Sequence, residues 1–269
     1  MALELPTSLS PSKVSTFKDC ALAFRFSAID KLPEPPSEPA VKGTLVHRAL
    51  ELLLDAKADQ RTVEFGADCL VAAMEEMRSD EEYLGLALDG DAEAKFISDA
   101  EKMMVRYFEL EDPRAIRPIG LELRLETMVG DLKLRGIIDR LELDEHGGLV
   151  VTDYKTGRAP SEAQERSRLG GVRFYAYMCH QLFGVMPAKV QLMYLGSQPQ
   201  FIITTPTEQS IRGLERTVTA IWSAVERACE NEDFRPNRSA LCSWCSFQEW
   251  CPAWGGDPAA APRPQLTAA

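Results

Sequence analysis

The spacing of apolar residues changes partway along the chain, and each period predicts a different kind of element. Leu9-Ser10-Pro11 marks a helix start: Ser10 can cap, Pro11 suits the first helical position, and Leu9 can staple onto Val14. This short helix carries Cys20 towards its end. KLPEPPSEPA (31–40) reads as a proline-rich loop. GTLVHRALELLL (43–54) is a second helix, with Val46, Leu50, Leu53 and Leu54 as its apolar stripe and His47 at the edge of that stripe. Residues 60–112 are mainly helical, with Phe96, Ala100, Met103, Met104, Tyr107 and Phe108 at helical spacing until Pro113. From Leu121 the period becomes two. Leu121, Leu123 and Leu125 alternate with Glu122, Arg124 and Glu126, and LKLRGIIDRLEL and GLVVTDYK follow as strands. AKVQLMYLG and QFIITT form a further hairpin. TPTEQSIRGLERTVTAIWSAVERACE is a helix whose capping box is drawn from Thr205, Pro206 and Glu208. The tail GGDPAAAPRPQLTAA (255–269) is expected to be disordered.

Composition narrows this picture only modestly. The 269 residues, 45% apolar and 26% charged, suit a globular chain with a large core. No run approaches a membrane span, and MALELPTSLSPS lacks the basic and apolar regions of a secretory leader, so the expected location is cytoplasmic. A net charge of −11 argues against a surface coated with cations for nucleic acid, though not against a local basic groove. Of the seven cysteines, three crowd into CSWCSFQEWC, which in a reducing compartment suggests metal ligation before disulfides.

The chemistry concentrates in VVTDYKTG. Asp153 and Lys155, two apart on a strand, project to one face, where burial is costly unless the charges are paired or bound. EHG suits a three-residue hairpin loop with Gly147 left-handed, which pairs Asp144 with Gly148 and, counting back, Asp139 with Asp153. Opposed residues hold their Cβ atoms ~5 Å apart. Two carboxylates that close favour a cation between them, with Lys155 alongside to orient water or stabilise phosphorane-like charge. Taken alone, DYK also fits a structural ion pair at a sheet edge.

GIIDRLELDEHGGLVVTDYKTG resembles the core of the PD-(D/E)xK nucleases, in the RecB-like exonuclease branch that includes the AddB nuclease domain and the exonucleases of CRISPR adaptation. The resemblance runs from Cys20 to Cys251. It implies an α/β, restriction-endonuclease-like fold: a central mixed sheet flanked by helices, one nuclease domain over 1–254, and a helical insertion at about 55–115. It assigns Asp139, Asp153 and Lys155 to catalysis. His47, in the G-x-x-x-H context of GTLVH, joins Asp139, Asp153 and the Tyr154 carbonyl as ligands of Mg²⁺ or Mn²⁺. Glu122 stands where the family often has an acid; a solvent-facing strand residue fits that position equally. The implied activity is metal-dependent DNA cleavage, exonucleolytic on single-stranded ends, in repair, recombination or related DNA processing, with a helicase or other repair protein as partner. A non-catalytic DNA-end-binding or assembly subunit is the alternative.

The resemblance also implies a [4Fe–4S] cluster on Cys20, Cys242, Cys245 and Cys251, clamping the chain ends together, with zinc as the competing occupant. Cys69, Cys179 and Cys229 read as core residues. After the DYK strand, Lys155, Arg158, Arg166, Arg168 and Arg173 outnumber Glu162 and Glu165, a candidate phosphate track that also reads as a solvated loop leading into a helix. Tyr175 matches the tyrosine of the family's Q-x-x-x-Y, but Gly171 replaces the glutamine. A helix beginning near Gly171 would offer free amides, together with Arg158, Arg173 and Tyr175, to DNA.

Overall fold

Strand β3 (Leu149–Lys155) has both faces buried from Val150 to Tyr154, which places it inside a sheet rather than at an edge. The computed structural model, which describes residues 3–160 and 162–262 and leaves aside the side chains of 162–169, orders the sheet β1-β2-β3-β4-β5. The other strands are β1 (Pro118–Val129), β2 (Leu132–Leu143), β4 (Lys189–Tyr194) and β5 (Gln200–Thr204). β2 pairs antiparallel with β3, β3 parallel with β4, and β4 antiparallel with β5, so the sheet is mixed, as expected. The parallel step needs a crossover, supplied by α7 (Glu162–Phe183).

The chain divides into two compact units. The larger, Pro36–Leu125 with Ile137–Ile211, holds α3 (Glu38–Asp55), α4 (Val63–Met77), α5 (Glu81–Gly85), α6 (Gly90–Leu110), α7 and the central strands. Val41, Leu45, Val46, Ala49, Leu50, Leu53 and Leu54 bury one stripe of α3 against α4 and α6, and Tyr154 and Met193 from the sheet, with Leu195 just past β4, join this core. α3 starts at Glu38, inside the stretch expected to be loop. Pro39 lies in its first turn, where a missing N–H breaks no helical bond.

The smaller unit joins Met1–Pro35, Glu126–Gly136 and Arg212–Ala269. It contains α1 (Pro11–Asp19), α2 (Ala21–Phe24), most of α8 (Glu208–Asn231) and short 3₁₀ turns at Ala240–Trp244, Gln248–Trp250, Pro252–Trp254 and Pro258–Ala260. Ser10 caps α1 by accepting from the Lys13 N–H at 3.2 Å. Leu9, fully buried, bridges to Leu134, its N–H donating to the Lys133 carbonyl at 3.0 Å and its carbonyl accepting from Arg135 at 2.9 Å. At α8 the cap differs from the expected box. Thr207 Oγ1 accepts from the Ser210 N–H at 3.2 Å and Ser210 Oγ from the Thr207 N–H at 2.9 Å, so a reciprocal pair two residues on from Thr205 closes the helix start. Residues 263–269 of the tail lie outside the described residues; before them, Gly256 donates to the Cys251 carbonyl at 3.0 Å. Among the described residues no helix is long and apolar enough to cross a membrane.

Candidate functional site

The β2–β3 hairpin sets the geometry. Its loop holds Gly147 at φ +78°, a conformation that a side chain would strain, and closes with Asp144 N–H on the Gly148 carbonyl at 2.9 Å. The ladder pairs Leu143 with Leu149 and Arg140 with Thr152. The paired stretch ends there, and Asp139 and Asp153 each lie one residue beyond it, in line with the register read from the sequence. Both carboxylates are buried, and Asp139 Oδ2 accepts from the Tyr154 N–H at 2.6 Å. Lys155 Nζ forms an ion pair with Asp153 Oδ2, so the structural pair and the converging constellation coexist.

Helix α3 brings the histidine. Gly43, one turn before His47, faces Thr156 just beyond β3, and a Cβ there would lie 3.3 Å from Thr156 Oγ1. The missing side chain lets α3 approach the strand end closely. His47 Nδ1 then sits 3.6 Å from Glu122 Oε1 and 3.7 Å from Asp139 Oδ2. One ligand atom each from His47, Glu122 and Asp139 lie within 4.8 Å of one another, the one group of three His, Cys, Asp or Glu donors this close among the described residues. Glu122 belongs to this set rather than to solvent. Its backbone carries φ +44° inside β1, a left-handed excursion that is strained for glutamate and re-aims the side chain relative to its strand neighbours.

The electrostatics are those of a crowded acidic pocket. Burial pushes Asp139 up to about 7, against the nearby His47 charge and with the repulsion of Asp153. Burial acts to lower His47, but its hydrogen bond to Glu122 and the charges of Asp139, Glu122 and Asp153 raise it above the usual range. Burial likewise opposes the Lys155 charge, and Asp153 first, then Asp139, raise its pKa. The Tyr175 hydroxyl is pushed up by burial and by Asp153, Asp139 and Glu122, and it hydrogen-bonds Asp153, so this side chain reaches the acidic pocket. The arrangement offers one imidazole and several carboxylate oxygens, a donor set for a hard divalent cation with an ammonium alongside.

The basic segment fares differently. α7 begins at Glu162, so Gly171 lies within the helix and its amide is not one of the free N-terminal donors; the expected helix start near Gly171 is not found. A side chain added at Gly171 would meet nothing within 4 Å. Arg158 and Arg173 are exposed, while the side chains of Glu162, Glu165, Arg166 and Arg168 lie outside the described residues.

Sequence reasoning missed the group behind the hairpin. Arg140, adjacent to Asp139, points to the opposite face and is 0% exposed. Its guanidinium donates to both oxygens of Glu111, to Glu142 at 3.3 Å, to Thr152 Oγ1 at 3.1 Å and to the Tyr154 hydroxyl at 3.2 Å. The signal was present in DRLEL, where Arg140 and Glu142 alternate on a strand that the core requires to be covered on both faces.

In the smaller unit, Cys20 ends α1, while Cys242 and Cys245 lie in and just after the first C-terminal 3₁₀ turn, and Cys251 follows the second. All four line a cavity of about 260 Å³. Asn237 ties the chain ends together: its N–H donates to Cys20 Sγ at 3.4 Å, its side-chain amide donates to the Asp19 carbonyl at 2.9 Å, and its carbonyl accepts from Cys242 Sγ at 3.9 Å. Ser239 N–H donates to Cys242 Sγ at 3.4 Å. Cys245 is raised by burial and by Cys20, Cys242 and Cys251, against the Phe247 N–H, so the four thiols sense one another. Cys69, Cys179 and Cys229 are buried, as core residues should be.

Comparison with known proteins adds a family and a fold. The profile described as the PD-(D/E)XK nuclease superfamily matches residues 8–252. No curated protein matches the sequence. Among solved structures, a candidate exonuclease from Eubacterium rectale superposes with a TM-score of 0.59 at 13% identity, covering 89% of this chain and 87% of that one. The structure of SSO0001 covers 93% of this chain and 88% of its own at 14% identity, with a TM-score of 0.42. At such identity the first likeness speaks to fold, and the mixed five-stranded sheet with flanking helices is the α/β, restriction-endonuclease-like architecture expected from the sequence.

Proposed function

We propose that this chain, which belongs to the PD-(D/E)XK nuclease superfamily, is a DNA exonuclease of the RecB-like branch that acts on single-stranded ends with Mg²⁺ or Mn²⁺. One observation carries the reading: His47, Glu122 and Asp139 bring their ligand atoms within 4.8 Å of one another beside the Asp153–Lys155 ion pair. His47, Asp139, Asp153 and the Tyr154 carbonyl, with Glu122, hold the cation. Bound there, a divalent ion supplies Lewis acidity towards water and the scissile phosphate.

The chain's own groups do the rest. Asp139 is fixed by the Tyr154 N–H. Asp153 orients the Lys155 ammonium, which neutralises charge developing on the phosphate or holds the attacking water. Tyr175, hydrogen-bonded to Asp153, braces that carboxylate from α7. Arg158 and Arg173 present exposed cations for the DNA backbone.

The same proposal places a [4Fe–4S] cluster on Cys20, Cys242, Cys245 and Cys251. The donors suit it: four thiols around one cavity, two of them accepting backbone N–H bonds of the kind that tune cluster sulfurs. Zinc is the competing occupant, and the C-x5-C interval from Cys245 to Cys251 fits its usual paired knuckles poorly. The cluster's role is a structural clamp. A cytoplasmic setting with a helicase or other repair partner completes the proposal.

The test uses purified chain with end-labelled linear single-stranded DNA, the same sequence circularised, and a linear duplex, each with Mn²⁺, Mg²⁺ or chelator. Loss of the linear single strand alone, dependent on metal, is expected. Equal cleavage of the circle would remove the exonuclease assignment, and no metal-dependent cleavage of any substrate would remove the nuclease mechanism.

A further inference from the structure

We infer that Arg140, which touches none of the candidate ligand atoms, sets the cation affinity of the site by positioning Tyr154 through its hydroxyl; the inference rests on the metal reading above. A fully buried guanidinium is costly unless its donors are met, and here both terminal nitrogens donate hydrogen bonds while Nε has only an ion-pair contact. Nη1 and Nη2 hold the two oxygens of Glu111, Nη2 also reaches Thr152 Oγ1 and Glu142, Nε lies 3.1 Å from Glu142 Oε2, and Nη1 donates to the Tyr154 hydroxyl at 3.2 Å. Thr152 is held from the other side by Gln191 Nε2 at 2.8 Å. Glu111 directly follows α6, so one side chain ties together a helix end, β2 and β3.

Tyr154 is where this network meets the site. Its hydroxyl end is fixed by Arg140, whose guanidinium carbon lies 5.8 Å from the ring centroid. Its backbone end donates to Asp139 Oδ2 at 2.6 Å. Its ring meets the His47 ring edge to face, centroids 5.7 Å apart at 84°, and meets Tyr107 at 6.2 Å and 83° on another side. Two of the three convergent donors, Asp139 and His47, therefore lean on a residue whose far end Arg140 anchors. Asp139 and Arg140 are neighbours in β2 and point to opposite faces, so the strand couples a ligand on one face to its support on the other. A merely stabilising ion network would not need to end on the tyrosine that contacts the ligands.

The test measures Mn²⁺ binding to the whole chain by the loss of the free-ion electron paramagnetic resonance signal, beside thermal unfolding. Three variants are compared with wild type: Arg140→Lys, which keeps the charge but not the fork, Tyr154→Phe, which keeps ring and backbone but deletes the anchored hydroxyl, and the two combined. Each single variant should weaken Mn²⁺ binding about 10- to 100-fold, as expected for the support of a ligand, and the double variant should add little to either single one. Folded variants that bind Mn²⁺ within twofold of wild type would overturn the inference, as would losses that multiply in the double variant. Should Arg140→Lys fail to fold, Tyr154→Phe decides alone. Wild type that binds no Mn²⁺, or Asp139→Asn that binds as well as wild type, would remove the metal reading itself, and this inference with it.

Discussion

The acidic pocket and the cysteine cavity are built by opposite means. The pocket stands on regular structure: Asp139 and Asp153 are buried strand residues in a fixed register, and His47 rides a helix seated closely against the strand end through Gly43. The cysteine cavity stands on 3₁₀ turns of three to five residues, none of which buries a residue, joined to the N-terminal segment by Asn237 bonding to Asp19 of α1 and by a few aromatic contacts further along, Phe26 against Phe247 and Trp250 among them. One site is built on packed helix and strand, with its carboxylates crowded together. The other has little apolar burial of its own and, on the proposed reading, would depend on what its thiols hold.

Breaking the cysteine side should have the larger effect on folding. Cys20→Ser removes the N-terminal thiol of the proposed clamp, and Cys20 and the C-terminal cysteines belong to the same compact unit. The expected outcome is loss of brown colour and of broad absorption near ~400 nm, with much of the smaller unit's protection in hydrogen exchange lost. A colourless wild type with one zinc per chain, or Cys20→Ser with unchanged exchange, would show that the clamp is not what orders these turns.

The acidic side should respond to pH in the opposite sense from most carboxylates. Asp139 has a folded-state value of about 7, above the ~3.9 of an unfolded aspartate. Its folded form thus holds the proton more tightly, which favours folding at low pH, and that advantage is lost as pH rises through about 7. His47 is also raised, so it acts in the same direction, with its advantage lost above its usual range. In chelator, the chain should lose thermal stability between about pH 6 and 8, and Asp139→Asn should flatten that slope. A wild-type slope of the other sign would contradict the picture of a self-repelling pocket.

Gly43→Ala sharpens the comparison within the pocket. A helical alanine gains up to ~1 kcal/mol over glycine, but its Cβ would press on Thr156 Oγ1 at 3.3 Å. Stability should change little while Mn²⁺ binding weakens several-fold, because α3 carries His47. Unchanged affinity would mean the close approach is incidental. The smallest effect is expected at Arg173, exposed on α7: alanine there should reduce the salt slope of DNA binding by about one and leave cleavage at saturating DNA nearly intact. An unaltered slope would make Arg173 a solvated charge.

Legibility in the sequence followed the same divide. The hairpin register and the helical spacing around His47 are local consequences of period and turn chemistry, and they were readable residue by residue. The start of α3 at Glu38 was not, because Pro39 in a first turn looks like Pro39 in a loop. The start of α7 well before Gly171 was missed for a similar reason: paired glycines mimic a helix boundary but were carried inside one. Glu122 owes its place to a left-handed backbone that no side-chain pattern announces. Arg140 was passed over because its partner Glu111 lies far away in sequence, just past a helix. What the sequence hid were tertiary choices made at element ends and across the sheet.

The central claim is that Asp139 and its neighbours hold a cation that cleaves phosphodiesters. Its most direct test follows Mn²⁺ binding and cleavage of an end-labelled single strand in the same samples, for wild type and Asp139→Asn. The account predicts that wild type binds Mn²⁺ and that cleavage rises with occupancy. Asp139→Asn should stay folded, bind at least tenfold more weakly, and lose on the order of 10³-fold in rate. A folded Asp139→Asn that cleaves at the wild-type rate, or wild-type cleavage that persists in chelator, would contradict it.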